Sequence, residues 1–409
     1  MPVLMLRNMR KGLLFMMVAG LTACSQLLLP NKPLDVSLAS PITVQGLPVQ
    51  NLISYDLYAD GTVLHAMFST ATADPKQPYI GYLHSDDDGR HWSAPIALGQ
   101  YARATIESMA GNDLQIAASG DTLLAIWQVT GEIPGMGPLA AMYSKDGGQT
   151  WVAGANPTGS EGDQSHPDLV ADSDGRFHLI WLDDRDENGY QGVRYARSSD
   201  AGQHWELAQT VDESSCSCCW NRLITGPDGQ LNALYRDMEP RDMALAQSMD
   251  GGKSWRRIST VGEFNWIFDG CPHNGGALIR TESQTLHALA WTGVEHKSGL
   301  YYLRSADNGK NWSLPQAMRG EALAFHGDIA AGDEGRLIAI WDAMGADGSV
   351  VVISESVDNG RNWSASRQIS TVGGSAVFPR IIATRSGFLA MWSEQKPGGG
   401  KQWMSAILE

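Results

Sequence analysis

Seven short apolar runs recur along the chain, at residues 61–68, 122–127, 176–181, 230–235, 285–291, 336–341 and 387–392. Each follows a glycine or turn, alternates apolar with other side chains and ends on an aromatic or polar residue. That period of two predicts β-strands rather than helices. The turn residues ahead of them, Gly61, Asp121, Gly175, Gly229, Gly335 and Gly387, lie about 54 residues apart, with one further repeat between Gly229 and Gly335. A unit of that length accommodates four strands and their loops.

Six of the runs are followed by a second repeat, S-x-D-x-G-x-x-W, at residues 85–92, 144–151, 198–205, 248–255, 305–312 and 356–363. In such a box the Asp carboxylate and Ser hydroxyl can bond nearby backbone N–H groups, the Gly can take positive φ in a tight turn, and the Trp covers the turn with apolar surface. The repeated Asp is therefore read as a structural staple and not as a catalytic acid. Six such boxes resemble the Asp-box (BNR) repeats of the sialidase-like β-propellers, in which the motif joins the third and fourth strands of a blade. The resemblance implies an all-β propeller of four-stranded blades. It leaves function open, since propellers with these boxes include hydrolases, lyases, binding proteins and assembly factors.

The seventh run has no box after it. Only residues 401–408 follow, enough for a third strand and not for a fourth. Residues 40–46 have no other partner and are expected to supply the missing outer strand, closing the ring and burying its last edges. Seven blades are favoured on this reasoning, with the six of true sialidases as the alternative. Residues 40–409 then form one domain.

Ahead of it, Arg7, Arg10 and Lys11 precede an apolar run at 13–21, too short for a stable membrane span and suited to a signal peptide. The run ends in Leu21-Thr22-Ala23-Cys24, which resembles the lipobox of bacterial lipoproteins. The resemblance implies a signal peptide at 1–23, lipidation of Cys24, a tether at 24–39 and, because Ser25 follows, an outer-membrane anchor facing the periplasm or the exterior. The lipid would be the only membrane attachment. Loss of residues 1–23 would move the formal net charge from -15 to -18, because three cationic side chains leave with them. So acidic a surface repels nucleic acid.

In up-and-down blades the first and third turns share one face, so the boxes mark the face opposite the ligand-binding mouth, which collects the links between blades and the middle loops. The unusual residues fall in those segments: Cys216, Cys218, Cys219, Cys271 and His273, with His166 and His326 in neighbouring links. If adjacent links lie side by side, the four Cys and His273 share a pocket. Two readings stay open. Four thiols in an exported protein can form two disulfides, or thiolates with imidazole can hold a soft metal, copper or zinc. Met238 and Met243, in the middle loop of the same blade, would add thioether donors toward copper, or else fill packing gaps.

Charged loops on the same face include Asp184 and Asp237, whose carboxylates are candidates for acid–base work on a glycoside. Arg103, Arg222 and Arg380 sit near inner-strand starts and make an arginine triad of the sialidase kind conceivable. The sialidase R-I-P signature is missing, and neither its Tyr nor its Glu can be placed. The first expectation is thus an envelope-anchored binding or accessory protein with a Cys/His site on its mouth, engaging a small molecule, glycan, metal or envelope protein. A glycoside hydrolase or lyase on the same scaffold, or a purely structural propeller held by disulfides, are the alternatives.

Overall fold

A computed structural model describes residues 34–74, 77–99, 114–131, 135–183, 191–318, 324–345, 347–396 and 398–409. Seven four-stranded antiparallel sheets follow one another along the chain as the blades of a propeller. The apolar runs are the second strand of every blade, Val63–Thr70, Thr122–Gln128, Phe177–Asp183, Leu231–Arg236, Leu286–Thr292, Leu337–Gly345 and Gly387–Gln395. Each inner strand lies beside the inner strand of the next blade, and the seventh, Ser375–Thr384, lies beside the first, Leu52–Asp60.

These second strands are more buried than an alternating pattern suggests. All of Phe177–Asp183 and all of Leu231–Arg236 are inaccessible. The cause is the architecture, in which a blade is covered on both faces by its neighbours and even the polar members of the run must be enclosed. His178 and His287 are fully buried in this way, and their Nδ1 atoms meet the hydroxyls of Tyr195 at 2.7 Å and Tyr302 at 2.6 Å. Among the described residues the apolar interior accordingly divides into seven clusters, each shared by two consecutive blades, with a small eighth cluster of Cys216, Cys218 and Cys219 apart from them.

The ring closes through the N-terminal segment. Ser40 and Pro41 pair with Ser405 and Met404, Val36 bridges Leu408, and the Ile42 N–H donates to Trp403 O at 2.7 Å. The outer strand of the seventh blade therefore comes from the N-terminal segment, as the count of runs requires. It stops short of residue 46, because Thr43–Val44 turns away to pair with Leu47–Pro48 in a separate hairpin. That hairpin carries the chain from the outer edge of the last blade toward the inner strand of the first.

All six boxes join a third strand to a fourth. In the box at 248–255 the Ser248 hydroxyl donates to Asp250 at 2.7 Å and accepts the Gly252 N–H at 2.8 Å, while Asp250 accepts the Ser254 N–H at 2.9 Å. The glycine is required for a reason the turn alone does not supply. It sits against the previous blade: Gly148 faces Tyr82, Gly252 faces Tyr195 and Gly360 faces Tyr302, while Gly89, Gly202 and Gly309 face Leu389, Leu124 and Leu245. A Cβ at any of the six would run into that side chain.

Gly252→Ala should therefore destabilise the protein by about 2–4 kcal/mol, combining the cost of positive φ with overpacking against Tyr195. Urea unfolding checks this. A shift below about 0.5 kcal/mol, the scale of an ordinary surface substitution, would show that the box does not lock one blade to the next.

Candidate functional site

The face opposite the boxes is built by inter-blade links and by irregular starts of inner strands. Three inner strands open with the same bulge, its register shifting between Ser165 and Asp168, Phe325 and Asp328, and Val377 and Arg380. In each bulge one residue adopts positive φ: His166 at 50°, His326 at 39° and Phe378 at 55°. A bulge re-aims its side chain, and here all three gather around Trp220 from the link between blades 3 and 4. The ring centroids of His166, His326 and Phe378 lie 6.3, 5.2 and 6.3 Å from that of Trp220.

Together with Tyr55, Arg222 and Arg380, the rings of Trp220, His326 and Phe378 line an open depression of about 530 Å³, solvent space included, with His166 against Trp220 but outside the lining. His326 is held by a 2.8 Å contact from Nδ1 to the buried Asp342, whose same oxygen accepts the Phe378 N–H at 2.8 Å. Burial lowers the pKa of His166 to about 4, so that ring is neutral near pH 7.

The sequence-derived candidates separate into groups. Arg222 and Arg380 do line one cavity. Arg222 is braced between Asp328, at 3.0 Å, and Asp168, at 3.8 Å, and both carboxylates also accept N–H groups of the next blade's inner strand, Asp168 from Leu223 and Asp328 from Ile381. Arg103, Asp184 and Cys24 lie outside the described residues. Asp237 is paired with Arg257 and accepts the Met238 N–H at 2.7 Å; burial raises its pKa, against the pull of Arg257. Tyr55 Oη donates toward the carbonyls of Phe378 at 2.7 Å and Met391 at 2.9 Å, and the described lining of the depression includes no carboxylic acid.

Beside this depression the Cys residues converge. Cys216 Sγ is 3.0 Å from Cys219 Sγ and 3.7 Å from Cys218 Sγ, and all three side chains are buried. Cys218 also meets the exposed Cys271 and His273, the ligand atoms of that second group lying within 4.8 Å of one another. All four thiols are unpaired in this structure. A metal–sulfur bond of 2.3 Å implies S···S edges of about 3.8–4.0 Å in tetrahedral or trigonal geometry; the Cys216–Cys218 edge of 3.7 Å is close to that, and the Cys216–Cys219 contact of 3.0 Å would have to open by about 0.8–1.0 Å around an ion.

Gly275 allows this approach. A Cβ there would stand 2.6 Å from Trp220 Cβ and 2.7 Å from Trp220 O, so only glycine lets the 216–221 link lie against the 271–276 link. Met243 is buried in the apolar cluster between blades 4 and 5, a packing position, and Met238 is half-buried in the middle loop of blade 4.

Two residues that sequence reasoning passed over complete the electrostatics. Arg236 and Arg241 are both buried, and among the described residues neither is paired with a carboxylate. Arg236 donates to the carbonyls of Asn274, Arg241 and Trp291, and Arg241 to Phe268 O at 3.0 Å. Their charge falls on the sulfurs. Hydrogen bonding with Cys218 and Cys219, together with the Arg241 charge, lowers the pKa of Cys216; the same hydrogen bonding raises Cys218, and burial raises Cys219. The three sulfurs and the two guanidinium groups thus form one electrostatic cluster. Next to it Trp266 stacks on Phe268 at 5.0 Å, leaving Ile267 and Phe268 69% and 41% exposed on the rim. Trp220 and the bulges were also missed; the only local signal was the recurrence of a His or Phe, then Pro or Gly, then a charged residue at 166–168, 326–328 and 378–380.

The chain is similar to several solved structures. An ulvan lyase of polysaccharide lyase family PL25 superposes with a TM-score of 0.58 at 12% identity, over 90% of this chain and 93% of that one. YCF48 bound to D1 peptide gives 0.54 at 16%, over 92% and 96%. The NanB sialidase of Streptococcus pneumoniae gives 0.48 at 12%, over 88% and 68%. No curated protein matches in sequence. The family model described as the BNR repeat-like domain matches residues 41–265, more than half of the chain and four of its six boxes, and with seven blades closed as they are, the chain belongs to the BNR repeat-like family of sialidase-like β-propellers.

Proposed function

We propose that this chain is an envelope-anchored propeller lipoprotein that acts as a binding or accessory protein and holds a soft metal ion, copper or zinc, on its mouth. The observation that carries the reading is the convergence of three buried thiols, Cys216, Cys218 and Cys219, with Cys271 and His273 alongside. Buried thiols have little reason to meet in threes, since a disulfide uses two. Thiolate and imidazole suit copper(I) and zinc, and the buried guanidinium groups of Arg236 and Arg241 offset the negative charge that such ligands bring.

Reduced protein loaded with copper(I) or zinc should retain metal through desalting, and Cys216→Ser/Cys219→Ser should lower its affinity at least tenfold. His273→Ala should weaken metal binding while leaving the fold intact. Thiol counting on gently purified protein supplies the opposing outcome: two disulfides and no retained metal would remove the reading. The anchor is tested separately. Cys24→Ser should release the protein from membranes, since a lipid chain would be its sole attachment, and unchanged membrane association would refute it.

A second ligand has a basis in the depression beside Trp220. An aromatic ring with Arg222 and Arg380 nearby suits a small anionic molecule or a glycan, with stacking on the ring and charge from the guanidinium groups. The ulvan lyase neighbour was solved bound to -[GlcA(1-4)Rha3S]-, a glycan of that chemistry. Titration with acidic oligosaccharides should show binding that Trp220→Ala weakens at least tenfold. Equal affinity in that variant would place the ligand elsewhere.

A further inference from the structure

The five soft donors of the mouth do not point at a single centre. Two sets of three satisfy mutual proximity, Cys216–Cys218–Cys219 and Cys218–Cys271–His273, and Cys218 is the one residue common to both. The first set is enclosed, with Cys216, Cys218 and Cys219 only 1%, 7% and 1% exposed, while Cys271 and His273 are open to solvent. A single ion accepts at most four protein donors in the geometries thiolates favour, which would leave at least one donor of the five unused.

We propose that the mouth is a two-ion copper(I) centre in which Cys218 bridges a buried S₃ position and an exposed S₂N position. This deepens the metal reading above and rests on it. Coordination number selects the metal. Each set offers three donors, which suits three-coordinate copper(I), whereas structural zinc takes four. The enclosed set also lies against Cys216's own link backbone and the blade 4 second strand, where the Cys216 N–H donates to Arg236 O at 2.9 Å, so its protein donors come from one short loop.

Charge favours the same arrangement. Four thiolates and two copper(I) ions carry a net charge of -2, and the guanidinium groups of Arg236 and Arg241 stand beside the buried half to meet it. Each Cys releases one proton to solvent when it first bonds a metal, and the second bond of the bridging Cys218 releases none, so the five metal–sulfur bonds are made by four thiolates. The difference in exposure gives the centre a direction: an ion captured at Cys271 and His273 passes inward by exchanging these ligands for Cys216 and Cys219 while it stays bonded to Cys218. Gly275 holds the two links at the separation that sharing requires.

The test is copper stoichiometry on the full-length, detergent-solubilised, reduced chain, loaded anaerobically with copper(I) against a chromophoric copper(I) chelator. Two ions per chain are expected, with a metal–metal shell in X-ray absorption. Cys271→Ser/His273→Ala, at exposed positions, should bind one ion and lose that shell. Cys216→Ser/Cys219→Ser should also bind one, at least tenfold more weakly, and Cys218→Ser should weaken both. One ion per chain in the unaltered protein would overturn the two-ion centre and leave the metal reading standing. No retained copper would overturn both, and two ions held with undiminished affinity in Cys218→Ser would overturn the bridge. Circular dichroism confirms that each variant is folded, and Gly275→Ala, which keeps every donor but separates the links, should lose the metal–metal shell.

Discussion

The propeller depends on how each blade seats on the one before it. A blade is not a stable unit alone: its second strand is apolar on both faces, and seven separate clusters bury those faces only when the ring is complete. The box glycines set the spacing of those contacts, because Tyr82, Leu124, Tyr195, Leu245, Tyr302 and Leu389 occupy the space in which any larger residue would place its Cβ. The Ser and Asp of the box hold the turn in the shape that presents this glycine. Hydrogen bonding within one turn and packing between two blades are thus one device, repeated six times. The seventh blade, which has no box, is completed by the strand from the opposite end of the chain.

A rigid ring leaves its other face free to vary. The inner strands cannot change course without breaking the inter-blade contacts, so the mouth acquires its chemistry from bulges at their starts and from the links ahead of them. His166, His326 and Phe378 come from three different blades and reach the same Trp220 because the same bulge occurs at equivalent positions around the axis. Arg222, with Asp168 and Asp328, then ties three inner strands together directly beneath. Arg222 thus belongs both to the depression and to the cement of the ring.

The thiol cluster draws on a second imbalance. Arg236 and Arg241 are buried with backbone carbonyls as partners, an arrangement that satisfies their hydrogen bonds but not their charge. The sulfurs lie within reach of that charge: Arg241 helps to lower the pKa of Cys216, and Arg236 acts against the burial that raises Cys219. A polar network of this kind, partly compensated, is costly to leave in a core.

Much of this was legible in the chain itself. The boxes and apolar runs determined the all-β blades, their number and the source of the last strand, since both patterns arise from local turn chemistry and from burial that any blade must have. Composition and blade topology also determined that the Cys residues and His273 belong to the mouth. Tertiary structure alone decided the rest. Whether Cys216, Cys218 and Cys219 meet Cys271 depends on the approach of two links 54 residues apart, which turns on the missing Cβ of Gly275. That Asp237 is neutralised by Arg257, that Met243 lies in the core, and that Trp220 gathers rings from three bulges are likewise outcomes of packing between blades. Periodicity reports which residues must be buried; it carries no record of which neighbour the buried side chain will find, because that neighbour comes from another part of the ring.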